Sequence, residues 1–157
     1  MGTDAEMKDY YHFEESTGIS LCDCIVNRIT GLSDKLIIHI PNGLVSIKAD
    51  TPEYASALYA HVVGCGTDSV LIYKVRRWSV FGKCLKTMSI VDFDEIEHLF
   101  SSGYTIKISE EYFAFKSMYI KGRILNRSGK PTSKELIILL NDIDRVDFTT
   151  DIPQVGV

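Results

Sequence analysis

The 157-residue chain carries a formal net charge of −4, with 45% apolar and 24% charged residues and four prolines. That composition excludes a disordered, collagen-like or coiled-coil chain. A chain of this length fits one domain that buries roughly 68–70% of its unfolded surface, with no need of a metal or disulfide. Its apolar runs, such as 36–38 and 136–140, fall far short of the ~20 residues that cross a bilayer.

Residues 1–17 are polar and acidic apart from Tyr10, Tyr11 and Phe13, and lack the apolar stretch of a signal peptide, which points to a cytoplasmic protein. Ile, Val and Cys make 19–29 a strand, and 31–34 a turn. A β-branched strand follows at 35–40. Pro41-Asn42-Gly43 is a hairpin signal, because Asn and Gly both tolerate positive φ, and 44–49 alternates as the returning strand. Asp50-Thr51-Pro52-Glu53 reads as a helix start over 52–57, with a strand over 58–63. Strands are expected at 69–80 and 83–91 around a turn at Gly82. Asp92 and Glu95 then form a variant capping box. Phe93, Ile96, Leu99 and Phe100 recur at helical spacing, and Gly103 supplies the stop. After it come a strand at 104–109, a turn at Glu110-Glu111, and one or two strands over 112–125 bent at Gly122. A loop at 126–133, strands at 135–140 and 143–149, and a fraying tail at 151–157 complete the chain. About nine strands and one firm helix predict a single mainly β (α+β) domain over 1–157. Its architecture is an antiparallel β-sandwich or strongly curved sheet with one or two short helices.

Cys22 and Cys24, two apart, fall on one face of a strand, while Cys65 and Cys84 lack a second ligand at zinc-knuckle spacing. The cysteines are therefore expected to be reduced, metal-free, small buried side chains. With four histidines present (His12, His39, His61 and His98), a Cys–His pair stays open on sequence alone. No phosphate-binding glycine loop, dinucleotide fingerprint or nucleophile elbow occurs, and Gly64-Cys65-Gly66 is a turn. His98, three and four residues after Glu95 and Asp94, suggests a surface ion pair. We expect no cofactor, no metal and no catalysis.

Charge is segregated. Residues 71–91 hold Lys74, Arg76, Arg77, Lys83 and Lys86 with no acid, and 112–134 hold Lys116, Lys121, Arg123, Arg127, Lys130 and Lys134 with no acid. Between them lie Asp92, Asp94, Glu95, Glu97, Glu110 and Glu111. An acidic helix and basic strands that merely solvate and complement one another give this pattern. So does an acidic surface for a basic partner. Arg76 and Arg77 point to opposite faces of a strand, and a pI of about 5.5 is far from the basic range, so no nucleic-acid partner is expected. No membrane partner is expected either, given the short apolar runs.

The stretch Leu21-Cys22-Asp23-Cys24 to Ile29, then Lys35 to Ile40 and Pro41-Asn42-Gly43, resembles the opening of a group of small bacterial β-rich proteins. In that group an aromatic-His-Asp-Cys segment precedes an Ile-rich strand, a Leu-containing strand and an Asp-Gly turn. Asp23, Cys24, Ile29, Leu36 and Gly43 match; Leu21 and Cys22 replace the aromatic-His, and Asn42 replaces the Asp. The resemblance covers residues 19–48. Many members look like immunity proteins, which inhibit a cognate toxin by binding it, commonly with an acidic surface against a basic nuclease. It implies a toxin domain as partner, and the acidic block read from the charge pattern, Asp92, Asp94, Glu95, Glu97, Glu110 and Glu111, is the expected contact. A small-ligand or enzymatic site in a sheet mouth, involving Cys22, Cys24 or a histidine, is the alternative. A scaffold that uses an apolar sheet face is a third.

Overall fold

The structure is a computed structural model that describes the backbone of residues 8–9, 19–46, 53–55 and 59–149, and side chains within 21–43 and 59–147. In chain order the strands are β1 Lys8–Asp9, β2 Ile19–Ser20, β3 Ile25–Val26, β4 Arg28–Gly31, β5 Lys35–His39, β6 Leu44–Ser46, β7 Glu53–Ala55 and β8 Tyr59–Val63. A 3₁₀ turn at Thr67–Ser69 leads into β9 Val70–Val80 and β10 Lys83–Val91. Helix α1 Phe93–Ser101 follows, then β11 Thr105–Ala114, β12 Ser117–Leu125, β13 Pro131–Leu140 and β14 Arg145–Thr149. They form antiparallel sheets ordered β1-β14-β8-β5-β4, β10-β9-β13-β12-β11-β3 and β2-β6-β7. The mainly β fold read from the sequence is the fold observed.

The two larger sheets face each other across one apolar core. Leu36, Ile38, Ala60, Val62 and Val146 come from one sheet; Ile72, Ile106, Ile108, Met118, Ile120 and Ile138 come from the other. These are alternate residues of their strands, as a sandwich requires. Helix α1 closes the core at one end. Its Ile96 is buried, and Phe93, Leu99 and Phe100 pack against the same cluster. Among the described residues no helix is long and apolar enough to cross a membrane.

Several expectations are corrected. Residues 21–24 are a turn with Asp23 at φ 65°, so Cys22 and Cys24 do not share a strand face. The Asn42-Gly43 turn forms, with the Gly43 N–H donating to Ile40 O, but β6 does not return onto β5. It pairs with β2 and β7, while β5 takes β8 as its second neighbour. Residues 53–55, expected as helix, are strand, because pairing with β6 overrides the local helix-start signal of Asp50-Thr51-Pro52-Glu53. Glu110-Glu111 is not a turn but lies inside β11, just past a bulge between Ile108 and Glu110. The chain reverses instead at Phe115-Lys116, with Lys116 at φ 55°. Pro131 already starts β13, the strand position where a missing N–H costs least. The expectations for 1–7, 10–17 and the tail at 151–157 lie outside the described residues.

Candidate functional site

Helix α1 begins at Asp92, which has extended N-cap geometry, and its backbone oxygen accepts the Glu95 N–H at 3.1 Å. The Asp92 side chain makes no cap hydrogen bond, so the expected capping box is not formed. The acids of the first turn still complement the positive end of the helix dipole. At the other end the Gly103 N–H donates to Phe100 O and the Tyr104 N–H to Leu99 O. With Gly103 at φ 91° this is a Schellman closure, the stop that glycine signals. Arg127 Nε adds a 2.6 Å hydrogen bond to Ser102 O.

With Ile96 turned into the core, the acids of α1 are left in solvent. Asp92, Asp94, Glu95 and Glu97 are all exposed. Asp94, Glu95, His98 and Leu99 form one wall of a cleft of about 710 Å³ between α1 and the six-stranded sheet. Its floor is Val91, Ile96, Ile124 and Leu136, and Lys74 and Lys134 stand on the opposite wall. Lys74 reaches Glu95 across the cleft at 4.0 Å, an exposed pair worth about 0–1 kcal/mol. On the other edge of α1, Glu97 and Phe100 meet Asn27, Arg28 and Thr30 in a second groove of about 420 Å³. There Asn27 Oδ1 is buried without a hydrogen-bond partner among the described residues.

The two remaining acids are placed differently. As neighbours on β11, Glu110 and Glu111 project from opposite faces. Glu110 pairs with Lys121 at 3.5 Å, whereas both carboxylate oxygens of Glu111 accept the Leu21 N–H, at 3.0 and 3.1 Å. The six acids proposed from sequence therefore divide into four on α1 or at its N-cap and two tied into the sheet.

Sequence reasoning missed a further cluster. Glu135 is 5% exposed, with Arg77 Nε at 3.3 Å, Lys121 Nζ at 3.4 Å and Arg123 Nη2 at 3.4 Å. These residues come from β9, β12 and β13 and meet on the outer face of the sheet, away from the core. Burial alone lowers the pKa of the Lys121 ammonium, but Glu135 and Glu110 outweigh it, and the value lies above the ordinary lysine one. Only the strand register brings these residues together. Their one sequence trace is an acid, Glu135, immediately after an acid-free basic run.

None of the four cysteines is in a disulfide. Cys24 and Cys65 are buried as expected, whereas Cys22 is half-buried and Cys84 is exposed on β10. Burial pushes the Cys65 thiol up to about 11, which suits a packing side chain rather than a nucleophile. His39 stacks on Tyr59 with centroids 4.6 Å apart, and His98 lies on exposed α1. No group of three or more His, Cys, Asp or Glu that could hold a metal occurs among the described residues. No family model, curated protein or solved structure matches this chain.

Proposed function

We propose that the chain is a non-catalytic binding protein of the immunity type, which neutralises a basic, nuclease-like toxin domain by one-to-one contact through α1. The observation that carries this reading is the acidic helix bordering an apolar cleft. An interface of stable affinity needs an apolar centre into which a partner side chain fits, with charges around it that steer encounter. Leu99, Ile124 and Leu136 supply the first; Asp94 and Glu95 stand at its border, and Asp92 and Glu97 extend the negative field along the helix. The weak Lys74–Glu95 pair is readily exchanged for an incoming cation. Glu110 and Glu111, already engaged, add field rather than contact.

The test is stopped-flow association with the toxin encoded by the adjacent reading frame. Reversing Asp94 and Glu97 to Lys together is expected to slow association by ~10-fold or more at low salt, with the denaturation midpoint nearly unchanged. Leu136 lines the cleft, so Leu136→Ala should lose both stability and binding. Leu36→Ala, in the other sheet, should lose about 2–5 kcal/mol of stability with an unchanged association rate. Equal, salt-independent rates for wild type and the double reversal would show that α1 is only a solvated face.

One observation favours a second reading. The cleft volume lies within the usual range for small ligands, and Lys74, His98 and Lys134 converge on its apolar floor. On that reading Leu99→Trp, which fills the cleft, abolishes binding of a small apolar anion and leaves charge-steered association with a protein partner intact.

A further inference from the structure

The hairpin of β9 and β10 turns on two residues, with Val80 paired to Lys83. Phe81 and Gly82 both have positive φ, 50° and 74°. Such a turn selects Asn, Asp or Gly first, because a Cβ crowds the backbone there. Phe81 departs from that rule and is 100% exposed, so no contact among the described residues offsets the strain. A strained, solvated phenyl ring at an apex has no folding rationale, which directs attention to function.

Its surroundings share the character. The ladder of β9 with β13 stops at Arg76 opposite Lys134, so the hairpin beyond is two-stranded, and every residue from Arg76 to Ile90 is exposed. Trp78 pairs with Leu85 on one face, and both stay exposed together with Val80. No acid occurs between residues 69 and 91. Arg76, whose guanidinium lies 5.0 Å from the Trp78 ring, and Lys83 and Lys86 surround the apolar tip. The β12–β13 turn adds Lys130 at the same end of the sheet.

We propose that this hairpin is a membrane-surface arm: Phe81, with Val80, Trp78 and Leu85 behind it, enters the interface of an anionic bilayer while Arg76, Lys83 and Lys86 take the headgroups. A convex apolar tip needs a deep matching pocket on a protein, but none on a fluid bilayer. Aromatic rings at headgroup depth with lysines above them are the arrangement the interface favours. A nucleic-acid platform fits less well. One face of Trp78 is already covered by Arg76, and Phe81 stands at an apex rather than flat on a strand. The absence of a bilayer-spanning run bears on crossing a membrane, not on touching its surface. The ten residues from the tip to Asp92 extend ~30 Å along β10, so the first acid of the helix segment lies at the far end of that strand from the tip.

The experiment is co-sedimentation of the full chain with vesicles of phosphatidylcholine and phosphatidylserine at 7:3, and of phosphatidylcholine alone, in 0.1 M salt. Trp78, the single tryptophan, reports insertion by its fluorescence. Binding to the anionic vesicles with a blue shift of Trp78 is expected, at least tenfold weaker without phosphatidylserine and roughly fivefold weaker for each of Lys83→Gln and Lys86→Gln. Phe81→Asn should cut binding tenfold or more while its thermal midpoint stays equal or rises, because Asn suits the positive φ; loss of binding therefore cannot reflect misfolding. Three results would overturn the proposal. These are no sedimentation with anionic vesicles, equal binding by Phe81→Asn, and a dimer dissolved by Phe81→Asn with no vesicle binding. Equal binding of wild type and Phe81→Asn to a single-stranded oligonucleotide that displaces vesicles would reassign the arm to nucleic acid. None of these results depends on the toxin-binding reading.

Discussion

His39 on β5 and His61 on β8 carry the clearest pH dependence of single residues. Partial burial disfavours the imidazolium of each. Arg28 adds repulsion at His39 and Lys35 at His61, where Asp147 partly opposes it, so both pKa values lie below the ordinary 6.5. The unfolded chain thus takes up these protons at a higher pH than the fold does. The stability this confers is complete above ~6.5 and is lost as pH falls from there through the lowered values. The urea midpoint should be lower at pH 5.5 than at pH 7.5, and His39→Gln with His61→Gln should flatten that difference. An undiminished slope in the double variant would place the titrating groups elsewhere. Neither effect was legible in the sequence, where His39 and His61 are polar residues of mainly apolar strands. Their cationic neighbours are Arg28 across the β4–β5 ladder and Lys35 across the β5–β8 pairing.

Among the elements, β12 shows what a strand glycine is for. Gly122 lies opposite Ile108, and a Cβ there would collide with the Ile106 side chain and stand 2.9 Å from Lys107 O. The glycine lets β11 approach closely just before its bulge, rather than bending the strand. Gly122→Ala should destabilise the fold by about 1–3 kcal/mol, measured by denaturant titration, because backbone rather than a flexible side-chain end must move. The sequence announced α1 fully, since Phe93, Ile96, Leu99 and Phe100 with Gly103 leave no competing period. It misplaced the β11–β12 turn because Phe115 and Lys116 carry no turn chemistry, whereas two adjacent glutamates resemble a loop. The bulge that lets Glu110 and Glu111 sit in a strand has no composition of its own. The same holds for the exchange of β6 from one sheet to another after Asn42-Gly43.

At the scale of the molecule, β10 joins two unlike ends, while the other cations of the basic blocks face α1 or gather around Glu135. One end of that strand carries the basic, apolar hairpin tip, and the other runs directly into acidic α1. The segregation was legible residue by residue, but its geometry was not, because it depends on which strands neighbour β9 and where β13 stops. The cleft beneath α1 was equally hidden. Its floor draws Val91, Ile124 and Leu136 from three strands, each an ordinary core residue in sequence. The prediction for α1 reversal and the prediction for the hairpin tip are thereby independent. Phe81 and Lys83 at the tip lie at the opposite end of β10 from Asp92, so the tip variants leave the α1 face untouched.

Among the described residues, strand β10 ends its sheet with β9 as its one neighbour, and this has a signature in amide exchange. Closing the two-residue turn makes Val80 and Lys83 a hydrogen-bonded pair, and antiparallel pairing then alternates along the ladder. The amides of Leu85, Thr87, Ser89 and Val91 point at β9, while those of Cys84, Lys86, Met88 and Ile90 point away from the sheet. In deuterium the strand should therefore exchange with a period of two, the Met88 and Ile90 amides emptying well before those of Ser89 and Val91. Uniform protection along β10 would mean that another strand has docked on this edge.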